Sequence, residues 1–146
     1  MKKILVSACL LGENCKYNGK NNKNEAVIAL SEKYELVPIC PECFGGMEIP
    51  REPSEIKEGR VYSKSGKDVT ENFVSGAEKS LYVAEESNCS AAVLKARSPS
   101  CGFKKIYDGS FTSTLVSGNG ITAQLLYDSG IQIFTEDDLE ALESAL

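Results

Sequence analysis

Residues 3–8 read KILVSA, a short run of apolar and β-branched residues that is typical of a buried strand. A loop rich in Asn, Gly and Lys follows, and apolar residues spaced three and four apart then indicate a helix over 27–34. A second strand-like run, ELVPI, occupies residues 35–39. This succession of strand, helix and strand predicts a parallel sheet covered by helices.

The same alternation continues to the end of the chain. A capping-box pattern at 68–71 predicts the start of a long helix, and further strands are predicted at 90–96 and 131–134, each followed by a helical pattern. The connection over 41–67 is rich in Pro and Gly, and its GRVYS segment indicates one strand of a small hairpin. We therefore predict an α/β protein, a single-domain three-layer Rossmann-like fold with a mostly parallel sheet of about four strands, over residues 1–146.

The composition of the chain excludes or disfavours several classes of function. The chain carries 16 Lys and Arg against 21 Asp and Glu, and this net charge of −5 disfavours binding to polymeric nucleic acid. No apolar run approaches the roughly 20 residues of a membrane span, and the lysine-led N-terminus lacks a signal-peptide cleavage pattern, so we expect a cytoplasmic protein without a membrane partner. The absence of histidine excludes His-based catalysis and His-containing metal sites. The sequence carries no signal for an oligomeric state.

Six cysteines remain as the most informative residues for chemistry. Cys9 and Cys40 follow the first two predicted strands, and Cys101 lies a few residues after the third. Because the carboxyl ends of parallel strands meet at one edge of the sheet, where ligands bind, we expect these three thiols to converge. Cys89 precedes the third strand, at the opposite edge, and we expect it to be a buried structural residue.

Three kinds of site are compatible with this pattern. An iron–sulfur cluster accepts ligands from scattered segments, and three cysteines would leave one iron open as a Lewis acid. A structural zinc site usually needs two tight cysteine pairs, of which Cys40 and Cys43 supply one, with Cys15 and Cys43 as candidate fourth ligands or spectators. Cys40 and Cys43 could also form a thiol–disulfide redox pair. Such a pair normally opens a helix, and we expect the Gly and Pro residues after Cys43 to prevent one.

Three blocks of the sequence resemble the thiouracil desulfidase (TudS-like) family, long known as a domain of unknown function. In chain order they are SACLLGENCKYNGK at 7–20, PICPECFGGMEIPREPSE at 38–55 and LKARSPSCG at 94–102. The resemblance implies a 4Fe–4S cluster held by only three cysteines, which match Cys9, Cys40 and Cys101, with zinc as the alternative metal. It implies non-redox replacement of the sulfur of a thiolated pyrimidine, thiouracil or a thiouridine nucleotide, by oxygen from water, with release of hydrosulfide.

The resemblance also assigns the catalytic groups to Glu42 and Ser98. Glu42 lies two residues after a predicted ligand, so its carboxylate would reach a molecule bound at the metal and could exchange protons with it. Ser100 flanks the same proline turn as Ser98 and could orient water or substrate through a hydrogen bond.

Three further residues are candidates for holding the substrate. Tyr17 could stack on a flat base, and Arg51 could supply positive charge to a substrate phosphate or to the anionic cluster. Lys16 stands where the family pattern has arginine, and lysine keeps the charge but loses the planar fork of donors. We therefore expect the identity of the substrate to vary more than the type of reaction.

Overall fold

The computed structural model describes all 146 residues of the chain. The strands are β1 (Lys3–Ser7), β2 (Glu35–Ile39), β3 (Ser54–Lys57), β4 (Arg60–Ser63), β5 (Ala91–Leu94), β6 (Lys105–Tyr107), β7 (Leu115–Ser117) and β8 (Gln132–Thr135). The helices are α1 (Glu25–Ala29), α2 (Pro41–Phe44), α3 (Thr70–Glu86), α4 (Ile121–Asp128) and α5 (Leu139–Ala145).

The central sheet is parallel and has the order β2-β1-β5-β8. The chain runs outward from β1 to β2 and then crosses back to place β5 on the other side of β1. The connections that leave the carboxyl ends of β1 and β5 therefore diverge, and this divergence opens a crevice at that edge. The four parallel strands of this sheet confirm the predicted fold class.

Helices cover both faces of this sheet. On one face Leu5 and Leu94 pack with Ala84 of α3 and Leu126 of α4. The opposite face packs against α1 and α5, with Ile4, Val6, Ala91, Val93, Val27 and Leu142 in the contact. These apolar side chains are removed almost completely from water, which is the main favourable contribution to folding. The result is the predicted three-layer arrangement.

Two antiparallel hairpins lie outside the central sheet. The β3–β4 hairpin, one strand of which the sequence predicted, occupies part of the Pro- and Gly-rich connection. The β6–β7 hairpin was not predicted, because its three-residue strands are too short to show an alternating pattern. Both hairpins contribute residues to the crevice described below.

The predicted capping box at 68–71 is wrong. The α3 helix begins at Thr70, and Asp68 lies two residues before it, where its carboxylate accepts the N–H of Thr70 at 2.9 Å. The same carboxylate is bound by the Arg60 guanidinium of β4 at 2.6 Å, and this hydrogen bond holds the pKa of Asp68 well below its usual range. Asp68 therefore joins the helix start to the neighbouring hairpin.

The expectation that no helix follows Cys40 is also wrong. Cys40 is the N-cap of the one-turn helix α2, and Pro41 occupies the first turn, where its missing N–H costs nothing. The helix lies tightly against α3, since a Cβ atom at Gly76 would collide with the carbonyl oxygen of Pro41. The glycines after Phe44 end the helix after one turn but do not prevent it. No helix in the structure is both long enough and apolar enough to cross a membrane.

Candidate active site

A cavity of about 500 Å³ lies at the carboxyl ends of β1, β2 and β5. It is lined by the five residues predicted to bind metal or act in catalysis, Cys9, Cys40, Cys101, Glu42 and Ser98. The four residues predicted to contact substrate, Lys16, Tyr17, Arg51 and Ser100, line the same cavity. Segments far apart in sequence thus meet at the edge that the topology predicted.

The three predicted metal ligands surround the end of β1. Cys9 lies in a short 3₁₀ turn, Ala8–Leu11, directly after this strand, and Cys40 follows the adjacent strand β2. Cys101 reaches the same place from the loop after β5, because the Ser7 hydroxyl at the end of β1 donates a hydrogen bond to its sulfur at 3.2 Å. All six cysteines are free thiols.

The loop that carries Cys101 is fixed by its own hydrogen bonds and by α4. The hydroxyl oxygen of Ser98 accepts the backbone N–H groups of Ser100 and Cys101 at 3.1 and 3.0 Å. The N–H groups at the start of α4 donate to the carbonyls of Pro99 and Ser100. The turn is thus held on both sides, which orients the side chains of Ser98, Ser100 and Cys101 toward the cavity.

The thiols have strongly different proton affinities. The neighbouring Cys15 thiol, whose single proton can go to only one sulfur at a time, is the main cause that lowers the pKa of Cys40 to about 6 and that of Cys9 to about 7, the latter helped by the Asn22 amide. Burial raises the pKa of Cys101 to about 12, although the bond from Ser7 opposes the shift. Without metal, Cys40 and Cys9 therefore lose their protons at much lower pH than Cys101.

Glu42 is held by partners on both of its oxygens. The Arg51 guanidinium donates from Nε to one oxygen and the Ser100 hydroxyl donates to the other, each at 3.0 Å. The Ser98 hydroxyl lies 2.9 Å from that of Ser100. The Arg51 and Glu42 side chains are only 7% and 16% exposed, so water screens their attraction less than that of a surface ion pair. Glu42, Ser100 and Ser98 form a continuous path for a proton.

Arg51 is held largely by protein groups. Besides Glu42, it donates from its terminal nitrogens to the carbonyls of Cys15 and Glu48, at 2.9 and 3.1 Å. Three of its five N–H donors are therefore engaged with the protein, and its contact with a substrate phosphate stays a prediction. Tyr17 is 38% exposed and remains available to a ligand, with the Lys16 ammonium 5.7 Å from its ring centre.

The two remaining cysteines near the site differ from each other. Cys15 lines the cavity, and its backbone carbonyl accepts hydrogen bonds from the Cys40 thiol at 3.8 Å and from Arg51 at 2.9 Å. Cys43 does not line the cavity, and its thiol points toward the carbonyl of Cys15 at 4.0 Å. Cys89 packs against the apolar cluster on the α3 face of the sheet, but it is half-buried rather than buried as the sequence predicted.

Sequence reasoning missed Ser7 and Asn22, which both donate hydrogen bonds to cysteine sulfurs. Asn22 lies 3.5 Å from the Cys9 sulfur, and Ser7 also accepts the N–H of Lys95 at 2.9 Å. The one available signal was a polar residue at the end of an otherwise apolar strand. Hydrogen bonds of this kind tune the charge carried by a ligating sulfur.

The donor set is compatible with an iron–sulfur cluster. Thiols from three strand ends, with no histidine and with hydrogen-bond donors to two of the sulfurs, are the environment in which such clusters are held. No three Cys, Asp or Glu side chains are arranged to hold a single metal ion. In a cluster each thiolate binds a different iron, so the sulfurs need not converge on one point as the four ligands of zinc do.

Comparison with known proteins agrees with this geometry. Residues 4–138 match the family model described as 2-thiouracil desulfurase. A Bacillus subtilis (strain 168) protein, the uncharacterized YbbK, is 42% identical over 146 aligned positions, which cover 93% of this chain and 97% of the relative. The solved structure of the [4Fe-4S]-dependent thiouracil desulfidase TudS is 40% identical, covers 99% of this chain and 97% of its own, and superposes with a TM-score of 0.93.

These matches span almost the whole chain and confirm the resemblance that the three sequence blocks indicated. They also confirm the fold class, because TudS shares the fold nearly throughout. The chain belongs to the 2-thiouracil desulfurase family, a family of enzymes.

Proposed function

We propose that this protein is a cytoplasmic desulfidase, one domain over residues 1–146, that replaces the sulfur of a thiolated pyrimidine by oxygen from water without net electron transfer. The proposed substrate is thiouracil or a thiouridine nucleotide, and the products are the oxo-pyrimidine and hydrosulfide. One observation carries the proposal: the Glu42–Ser100–Ser98 path and three cysteines from different strand ends line a single cavity. Its volume is in the range of small-molecule sites.

Cys9, Cys40 and Cys101 would hold a 4Fe–4S cluster. When bound, the cluster supplies one iron without a protein ligand, a soft Lewis acid for the sulfur of the substrate. Cys9 and Cys40 would release their protons readily on binding, because their pKa values, about 7 and about 6, lie below the ordinary value of a thiol. Cys101 has a raised pKa and would release its proton on binding.

Glu42 is the proposed acid–base group. Its carboxylate takes one proton from the water that attacks the C–S carbon and passes it to a ring nitrogen or to the departing sulfur. As the C–S bond breaks and hydrosulfide leaves, the hydroxyl of the adduct gives its own proton to Glu42 or to water, and the C=O bond forms. Ser100 holds the second carboxylate oxygen, and Ser98 extends the path by a further hydroxyl. Arg51 fixes the orientation of the carboxylate and balances its charge.

Tyr17 and Lys16 are the proposed contacts for the rest of the substrate. Tyr17 presents a partly exposed ring against which a flat base can stack. Lys16 lies beside it and offers a positive charge for a negatively charged substituent. A small thiolated base or nucleotide is therefore the proposed partner, rather than a polymer.

Thiol–disulfide exchange is the second candidate, and one observation favours it. Cys40 precedes a helix and has a lowered pKa of about 6, as the attacking cysteine of a redox pair does, and Cys43 ends that turn with a pKa raised to about 11 by burial. Exchange requires Cys43, whereas desulfidation does not. A zinc-binding module without catalysis would need a convergent ligand set for one ion, which the side chains do not form.

Anaerobically reconstituted protein tests the proposal directly. We expect sulfide release from 2-thiouracil, 4-thiouracil or 4-thiouridine monophosphate at a rate proportional to bound cluster. Replacing Glu42→Gln keeps the shape but removes the proton acceptor, so we expect kcat to fall by about 10²–10⁴-fold with unchanged iron content.

Glu48→Gln is the matched control, because this nearby carboxylate is exposed and makes no side-chain hydrogen bond or ion pair. It should retain wild-type turnover. Absence of turnover on all three thiopyrimidines in protein that holds its cluster would refute the proposed function.

A further inference from the structure

Phe111 is the one phenylalanine of this protein that packing does not explain. The chain has five, and the other four, Phe44, Phe73, Phe103 and Phe134, each belong to one of the apolar clusters of the core or pack against it. Phe111 belongs to none of these clusters and instead lines the cavity that holds Cys40 and Glu42. Its ring is half-buried in the wall of the cavity.

The backbone at Phe111 has a conformation that L-residues rarely adopt. Its φ is +58°, and Ser113, two residues later, has a φ of +59°. A bulky residue with positive φ costs free energy and persists only when the surrounding structure enforces it. Such positions cluster at ligand-binding sites, where a required side-chain direction outweighs the local strain.

Two contacts with β3 enforce this conformation. The Glu55 carboxylate accepts the backbone N–H groups of Gly109 and Phe111, both at 3.1 Å and both on the same oxygen. Gly109 lies so close to β3 that a Cβ atom there would be 2.6 Å from the Cβ of Lys57. Glu55 also lines the cavity, so the two hairpins are joined at the site itself.

We propose that Phe111 is a substrate-binding residue whose ring packs against the face of the substrate pyrimidine, and that Glu55 is the residue that positions it. The inference rests on the proposed function and adds the group that recognises the ring. We call the cavity-lining residues of the two hairpins, Ser54, Glu55, Tyr107, Phe111 and Ser113, the hairpin wall. Stacking of a base on an aromatic ring needs no covalent step and holds substrate and product alike.

The test separates binding from chemistry. Because stacking acts equally on ground state and transition state, Phe111→Ala should raise KM for 2-thiouracil by about tenfold with kcat and cluster absorption unchanged. Calorimetric titration with 2-thiouracil and with uracil, the unreactive product, should show the same loss of affinity. Phe111→Tyr should restore both values. Tyr82→Ala removes an exposed aromatic ring on α3, outside the cavity, and should change neither.

A comparison of single and double variants tests the role of Glu55. Glu55→Ala should raise KM for 2-thiouracil, as Phe111→Ala does. The double variant should have a KM little higher than that of Phe111→Ala, because Glu55 acts through Phe111. Glu55→Gln keeps an acceptor oxygen for the two N–H groups and should recover most of the affinity.

The outcomes for the inference and for the proposed function are distinct. Wild-type KM and affinity in Phe111→Ala would overturn the inference while leaving the desulfidase in place. Binding of 2-thiouracil that depends on Phe111, without turnover of any of the three thiopyrimidines, would support the inference and refute the proposed function. A wild-type, cluster-loaded protein that neither binds nor converts any of the three would overturn both.

Discussion

The strand-end side of the cavity and the hairpin wall are built by different means. The strand-end side, formed by Cys9, Cys40, Glu42 and the turn 98–101, is attached to three parallel strands whose ends are brought together by the sheet. The hairpin wall lies on two small antiparallel hairpins and depends on one carboxylate and one close backbone contact. The strand-end side therefore belongs to the central sheet, whereas the hairpin wall lies outside that sheet.

This difference suggests that the two sides of the cavity have different functions. The groups proposed for metal binding and proton transfer lie at the ends of the sheet strands, where their positions follow from the fold. The groups proposed to recognise the substrate lie on loops, where a change of sequence alters the pocket without disturbing the sheet. Changes on the strand-end side should therefore affect the cofactor and kcat, whereas changes in the hairpin wall should affect KM.

The largest effect should come from the proposed cluster ligands. Cys9→Ala, Cys40→Ala or Cys101→Ala should each abolish the visible absorption of the reconstituted protein and its iron content, and activity with them, because the proposed cluster has no thiolate ligand besides these three. Iron analysis, absorption and far-UV circular dichroism separate loss of cluster from loss of fold.

Cys43→Ala and Cys89→Ala are matched controls on the same background. The first lies outside the cavity and the second is packed against the core, so both should keep cluster and turnover. Loss of activity in Cys43→Ala with an intact cluster would contradict our reading and favour the redox pair.

A second, smaller effect should appear as different labelling rates among the cysteines of the strand-end side. In metal-free protein at about pH 7 Cys40 and Cys9 lose their protons more readily than Cys101, whose pKa is raised to about 12, so iodoacetamide should modify these two well before Cys101. Lowering the pH to about 5 protonates Cys40 below its pKa and should slow its labelling by about tenfold. Peptide mass spectrometry gives the rates, and equal rates at Cys40 and Cys101 would contradict the assignment.

The smallest effect should follow from displacing the hairpin wall rather than truncating it. Gly109→Ala introduces a side chain at a φ of +93° and against β3, so the loop that carries Phe111 must shift. We expect KM for 2-thiouracil to rise by about fivefold with kcat unchanged, less than for Phe111→Ala because the ring remains.

Gly130→Ala gives the matched comparison for this variant. Gly130 also has a positive φ, +88°, but its Cβ would meet no atom within 4 Å, and it follows α4 outside the cavity. Thermal unfolding should report a loss of stability, while KM should not change. A rise in KM for Gly130→Ala would show that general destabilisation, rather than the wall, controls substrate binding.

Much of this organisation was predictable from the sequence. Strand β2 has the predicted bounds, and the ends of β1, β2 and β5 carry the three cysteines as expected. The helix after Cys40 was missed because one turn is too short for a periodic pattern, and Gly and Pro were given too much weight. The role of Arg51 was missed because a lone cation in a loop gives no sign of its partner.

The sequence by itself determined the sheet, the edge at which the cysteines meet and the family, because hydrophobic periodicity and short motifs are local properties of the chain. Only the tertiary structure decided that the Cys15 carbonyl accepts from the Cys40 thiol, that Arg51 pairs with Glu42, and that Phe111 faces the cavity. These contacts join residues from separate segments. Their hydrogen bonds and close approaches exist only once packing has fixed the distances between those segments, which no local pattern specifies.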